Sequence, residues 1–128
     1  GSHMLGEARQ AMLLGRLRET EDNRPMMQAR EVLDLATRGG AAVLGRDDIG
    51  VLAPGKAADL VAFDLRGIAH AGAQSDPVAG LVFGSPRRVA YSMVYGRWLI
   101  RDGQFVDLDP GLLAETHNAL ARQLLEKA

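Results

Sequence analysis

Gly50-Val51-Leu52-Ala53-Pro54-Gly55-Lys56 has the G-x-x-x-x-G-K spacing of a phosphate-binding loop, the sharpest chemical string in the sequence. Such a loop also needs a serine or threonine after the lysine to hold magnesium, and a helix N-terminus that aims free amides at the phosphates. Ala57 offers no oxygen, and the residues that follow read as a strand, so the string is a structural turn. His3, His70 and His117 are the only imidazoles, and no two have the H-x-H or H-x-x-x-H spacing that brings a pair onto one metal ion. His117, beside Asn118, reads as a solvated or core-edge residue, and His70 lies in a loop with no sequence neighbour suited to acid–base work. Ser75-Asp76 suggests a nucleophile, yet helix capping accounts for the pair. Asp59 and Asp64 flank one short strand, where solvation or a turn hydrogen bond fits better than an acid–base pair. Asp47-Asp48 and Arg87-Arg88 are charge doublets suited to solvated loops. Tyr91, Tyr95 and Trp98 gather around a hairpin, where cross-strand packing is the first reading and a platform for a base or small ligand the second. The residues alone assemble no catalytic, cofactor-binding or metal-ligating site.

The elements that position these residues follow from periodicity. Leu5, Ala8, Met12 and Leu13 recur at helical spacing and predict an amphipathic helix over 5–19. Charges and a turn former collect at 20–24, and Pro25 opens a second helix to about residue 38. Val32, Leu33, Leu35 and Ala36 form its buried stripe, with Gly39-Gly40 as its stop and a short helical turn at 41–44 beyond. Residues 59–64 read as a buried strand and 67–75 as loop, while Asp76-Pro77 starts a brief helix through residue 83. Pro86 ends that segment. Period-two alternation predicts a strand over 89–95, Gly96-Arg97 a type II′ turn, and 98–100 the returning strand. Asp102-Gly103 makes the next turn. Asp109-Pro110 caps a last helix with Leu113, Thr116, Leu120 and Leu124 on one face.

Composition bounds what these elements can build. The chain has 128 residues, 47% hydrophobic and 24% charged, enough for one domain with one core. Fifteen basic and sixteen acidic side chains leave a formal charge of -1, with no net field for a phosphate backbone or an anionic bilayer. Neither nucleic acid nor a membrane is expected as a partner. Cysteine is absent, which removes disulfides, thiolate zinc sites and thiol nucleophiles and points to the cytoplasm. Residues 1–4, GSHM, read as the remnant of a cleaved tag.

The stretch AAVLGRDDIGVLAPGKAADLVAFDL resembles the region that follows the barrel in the amidohydrolase superfamily, with its pattern I-G-x-L-x-P-G-K-x-A-D-L-V-x-F-D at Ile49 to Asp64. VAYSMVYGRWLIRDG is similar to that family's later hairpin, with Gly96, Asp102 and Gly103 in register. MLGEARQAMLLGRLR, EVLDLATRGGAAVLG, DPVAGLVF and ETHNALARQLL resemble one branch, the 8-oxoguanine deaminases and hydroxyatrazine ethylaminohydrolases. Gln28 stands where those relatives often carry a capping threonine, and Ser75 where they often carry histidine.

The resemblance implies an α+β piece of a metal-dependent hydrolase acting on non-peptide C–N bonds. Residues 5–45 would be terminal helices of the β/α barrel, 46–107 the C-terminal portion of a composite β-sandwich, and 108–128 the closing helix. In such enzymes zinc, or sometimes iron, is held by histidines and an aspartate of the barrel, and activates water to displace ammonia or an alkylamine. Leu5 would begin just beyond the last-strand aspartate, so the ligands lie on chain outside these residues and the piece by itself is expected to be inactive. Its strands would lack their usual neighbours, leaving open edges that seek the remainder of the chain, repacked helices or a second copy. The alternative function is a free-standing interaction or oligomerisation module derived from the same sandwich.

Overall fold

The computed structural model describes residues 3–22, 25–84, 86 and 88–127. Helical segments and a four-stranded antiparallel sheet face each other across a seam, and a last, exposed helix follows the sheet in sequence. The architecture is α+β.

Helix α1 spans Met4–Asp22, one residue earlier than periodicity predicts. Ala8 and Met12 of its stripe are buried, whereas Leu13 is partly exposed. The turn expected at 20–24 does not begin at residue 20: α1 continues through 20–22, and 23–24 lie outside the described residues. Pro25 does not open the next helix: residues 25–28 are non-helical, and α2 covers Ala29–Asp34 with Gln28 as its N-cap in extended conformation. The Glu31 carboxylate closes that end by accepting the Gln28 N–H at 2.5 Å. Arg16 donates to the Met27 carbonyl at 3.0 Å and stands over the Phe83 ring, tying α1 to the 25–28 segment and to the later helix that carries Phe83.

Gly39-Gly40 does not stop the helix, contrary to the sequence reading. Both glycines sit at φ −60, and the chain passes through a π-helical turn, Leu35–Gly39, into α3, Gly40–Val43. The stop is Gly45 at φ +64. Its N–H bonds the Ala42 carbonyl and that of Arg46 bonds Ala41, the paired pattern of a Schellman cap. A glycine pair permits a left-handed residue without requiring one; here Ala41 is buried and the hydrogen-bond ladder continues through it.

Helix α4, Pro77–Gly84, begins as predicted, with Asp76 Oδ1 accepting the N–H groups of Val78 and Ala79 at 3.1 Å each. Arg30 reaches from α2 to the same carboxylate at 3.0 Å. The core is the meeting point of these helices: Ala8, Met12, Ala29, Val32 and Val82. Burying side chains such as Met12, Val32 and Val82 contributes about 1.5–3 kcal/mol each.

The sheet runs in the order β1 (Leu60–Ala62), β2 (Tyr91–Val94), β3 (Arg97–Arg101), β4 (Gln104–Phe105). β1 is shorter than predicted and is not buried; it is an edge strand with Val61 53% exposed. An apolar run marks a strand, but burial depends on what lies over it. The first hairpin loop is Tyr95-Gly96, not Gly96-Arg97. Both residues have positive φ, 50 and 76, which is a type I′ turn with Val94 opposite Arg97. Asp59 holds Tyr95 there by accepting its N–H at 2.6 Å. Leu99 is the extra residue of a bulge, since Ser92 faces Ile100 and Met93 faces Trp98. Asp102-Gly103 makes the second two-residue turn as predicted and leads into β4, which the sequence reading left out.

Helix α5, Pro110–Glu126, is capped as predicted, with Asp109 Oδ1 accepting from Gly111 at 2.8 Å and Leu112 at 3.2 Å. All its described residues are exposed except the half-buried Ala119.

Candidate functional site

The glycine-rich string folds as the turn that the missing hydroxyl implies. No helix follows it; the next element is β1. Ala57 N–H bonds the Asp48 carbonyl at 2.7 Å, and the Lys56 ammonium donates to the Asp47 carbonyl, so the lysine closes its own loop. Gly50 explains why this loop needs its glycine. At φ +85 it lies against the π turn, where a Cβ would stand 2.9 Å from Ala41 Cβ and 3.0 Å from the Thr37 carbonyl.

The three histidines go to three places. His70 ends a 3₁₀ turn, Ile68–His70, and is buried with its ring packed on Gly84, where a Cβ would fall 2.7 Å from Cε1. His117 is exposed on α5. His3 precedes α1, with Nδ1 accepting the Gly6 N–H at 3.1 Å and Nε2 lying 3.1 Å from the Pro86 carbonyl oxygen. Among the described residues no group of three or more His, Asp or Glu side chains is arranged to hold a metal ion. The described residues therefore do not fit a metal centre.

The remaining candidates are paired locally. Ser75 is exposed and Asp76 is the α4 cap. Bidentate hydrogen bonding from Arg66 holds the Asp64 carboxyl well below the usual carboxylate range, and Arg46 lowers that of Asp48 in the same way. Asp59 serves the hairpin turn. Tyr91 and Trp98 meet edge to face with centroids 6.0 Å apart, and Arg101 stacks over the indole. Tyr95 is 80% exposed at the turn and takes no part in that cluster. Arg88 is exposed, and Arg87 lies outside the described residues.

Sequence reasoning missed the Tyr91 hydroxyl bonded to the Asp102 carboxylate, which raises the phenol's pKa. The signal was available only in part: Asp102 was read as a turn former, and turn residues also face the strand opposite. Reasoning also missed a cleft of about 890 Å³ between the helices and the sheet. Leu5, Ala8, Leu33 and Ala36 wall one side, and Val61, Phe63, Val89, Ile100 and Phe105 the other. It is an apolar seam with few polar groups, shaped for packing rather than for moving protons.

Comparison with known proteins gives this geometry its context. The profile of the amidohydrolase family matches residues 2–99. The chain belongs to the amidohydrolase family. It is 41% identical over 124 residues to the 8-oxoguanine deaminase of Pseudomonas aeruginosa, covering 97% of this chain and 27% of that protein. It is 37% identical over 120 residues to the hydroxydechloroatrazine ethylaminohydrolase of Pseudomonas sp. strain ADP, covering 91% and 24%. A variant of atrazine chlorohydrolase from Arthrobacter aurescens, solved with zinc and atraton, superposes with a TM-score of 0.81 at 36% identity, over 91% of this chain and 26% of that one. An adenosine deaminase from Xanthomonas campestris with bound zinc gives a TM-score of 0.79 at 29% identity, over 97% and 27%. This amidohydrolase chain thus spans about a quarter of the length of the curated relatives it matches. No helix among its described residues is long and apolar enough to cross a membrane.

Proposed function

We propose that the chain is the C-terminal part of a metal-dependent aminohydrolase that removes ammonia or an alkylamine from a purine or triazine ring, 8-oxoguanine and hydroxyatrazine being the model substrates. Its own role is structural. The observation that carries this reading is the pairing of 41% identity across nearly all of this chain with coverage of only 27% of the deaminase it matches. Zinc or iron would be held by barrel residues outside these 128, and the cytoplasm is the proposed compartment. The apolar seam, the uncovered edge of β1 and the bare face of α5 support a piece whose cover is the remainder of the amidohydrolase chain. In its absence a second copy would use the same edges.

The test compares the chain alone with the protein encoded when its reading frame is extended upstream. The extended protein should bind stoichiometric metal and release ammonia from 8-oxoguanine or ethylamine from hydroxyatrazine, while the chain alone does neither. Turnover by the purified chain would overturn the reading. A second reading, a free-standing interaction module, draws on the exposed Leu113, Leu120 and Leu124 along α5. It would be favoured by an upstream frame that carries no H-x-H motif and by a stable oligomer in light scattering.

A further inference from the structure

Helix α5 carries an apolar stripe that this chain leaves bare. At 3.6 residues per turn, Leu113, Leu120 and Leu124 fall within about 40° of one another around its axis, and each is more than half exposed. Glu115, Arg122 and Glu126 all fall on the opposite face. Thr116 and His117 stand beside the leucines, so the stripe crosses the middle of the helix without a carboxylate, guanidinium or ammonium group. Charge returns on the stripe side at the two ends, as Asp109 at the N-cap and Lys127 at the C-cap, both exposed. Helices in proteins draw most of their stability from packing such a stripe, so a bare one is unfinished structure.

We propose that two copies of this chain pair along α5, antiparallel about a two-fold axis. The proposal rests on the reading above, that a second copy covers what the remainder of the longer chain does not. The ends of the helix choose the direction. An antiparallel pair sets Asp109 of one copy beside the partner's Lys127, a contact the axis repeats, and opposes the two helix dipoles. A parallel pair would set aspartate on aspartate and lysine on lysine. The antiparallel register lays Leu113 against the partner's Leu124 and Leu120 against the partner's His117, a polar ring that fixes the alignment at some cost in affinity. Exposed ion pairs add little attraction, so the leucines supply it and the end charges set the orientation. The strand edges offer less, since β1 has three residues and β4 two. A contact one helix long, about 25 Å, sits at the low end of the roughly 1,200–2,000 Å² that stable interfaces bury, so the dimer forms and dissociates with concentration.

Sedimentation equilibrium of the 128-residue chain from about 1 to 200 µM tests the pairing. The mass should rise from one chain toward two and no further. Leu120→Glu should weaken association roughly a hundredfold while leaving the denaturation midpoint unchanged, because α5 contributes no residue to the core. His117→Leu should tighten it about tenfold, and Val61→Lys on the β1 edge should leave it as it is. Direction is read by cross-linking, since the chain has no cysteine of its own. Chains carrying L113C and chains carrying L124C, mixed and oxidised, should join to each other in preference to themselves. Self-joined L113C, a dimer that survives Leu120→Glu, or the mass of a single chain at the highest concentration would overturn the proposal. None of these outcomes bears on the aminohydrolase reading, which the metal content and turnover of the extended protein decide.

Discussion

The helical half and the sheet half of this chain both carry large apolar side chains, yet only one of them closes a core. Ala8, Met12, Ala29, Val32, Ala41 and Val82, every buried apolar residue among those described, lie on α1 to α4. The four strands contribute none: Val61, Tyr91, Val94, Leu99 and Phe105 are all substantially exposed, and so are the leucines of α5. The two halves differ in how their backbones are satisfied. Helices close their hydrogen bonds internally, so α1, α2 and α4 can bury apolar side chains against one another even though residues 44–76 separate α3 from α4. A single sheet buries a face only when a second layer covers it, and its outer strands keep unpaired backbone groups until another strand arrives.

The largest expected effect lies where burial is complete. Met12→Ala should cost about 2–5 kcal/mol in chemical denaturation, because Met12 has no exposed surface and its loss opens a cavity between α1, α2 and α4. A cost near that of a surface site would erase the distinction between the halves. Gly84→Ala should follow at about 1–3 kcal/mol, since the new methyl group would stand 2.7 Å and 2.9 Å from the His70 ring. Adding His70→Ala to it should recover much of that loss, a non-additivity that a double-mutant cycle reads directly.

Within the sheet the sharper test is of a turn. Tyr95→Asn should stabilise the hairpin by about 1 kcal/mol, because a tyrosine at φ 50 bears the left-handed penalty and its exposed ring loses little packing on replacement. A pH titration bears on the helical half. The Arg30 hydrogen bond, then the Ala79 N–H, lower the Asp76 pKa in the folded chain. A carboxyl lowered on folding stabilises the fold above its unfolded value and loses that contribution as pH falls through the folded one. The α4 start should therefore loosen below about pH 4, read from the Val78 and Ala79 amides, with the sheet unaffected. The smallest effect is expected for Phe105→Ala, within about 0.5 kcal/mol in this chain. In the longer protein proposed above the same change should cost more, because the ring would then be covered; equal costs in both contexts would break the comparison from the other side.

Local chemistry was legible wherever a few neighbouring residues decide the outcome. Asp76 and Asp109 were readable as caps and Asp102-Gly103 as a turn, since each acts on backbone groups close to it in sequence, and Ala57 ruled out a phosphate loop by residue type alone, having no hydroxyl. The passage of the helix through Gly39-Gly40 was not legible, because whether a glycine adopts φ −60 or +60 depends on what the next turn of helix gains by burial. The register of the Tyr95-Gly96 turn was hidden for the same kind of reason: Asp59, 36 positions earlier, accepts the Tyr95 N–H.

The amino-acid sequence by itself determined the family and, β4 apart, the order of the main helices and strands, for these reside in residue types and short spacings. Only the tertiary structure decided which apolar faces are covered, where His70 is held, and that a seam separates the two layers. Burial is a property of pairs of surfaces, and a sequence states one surface at a time.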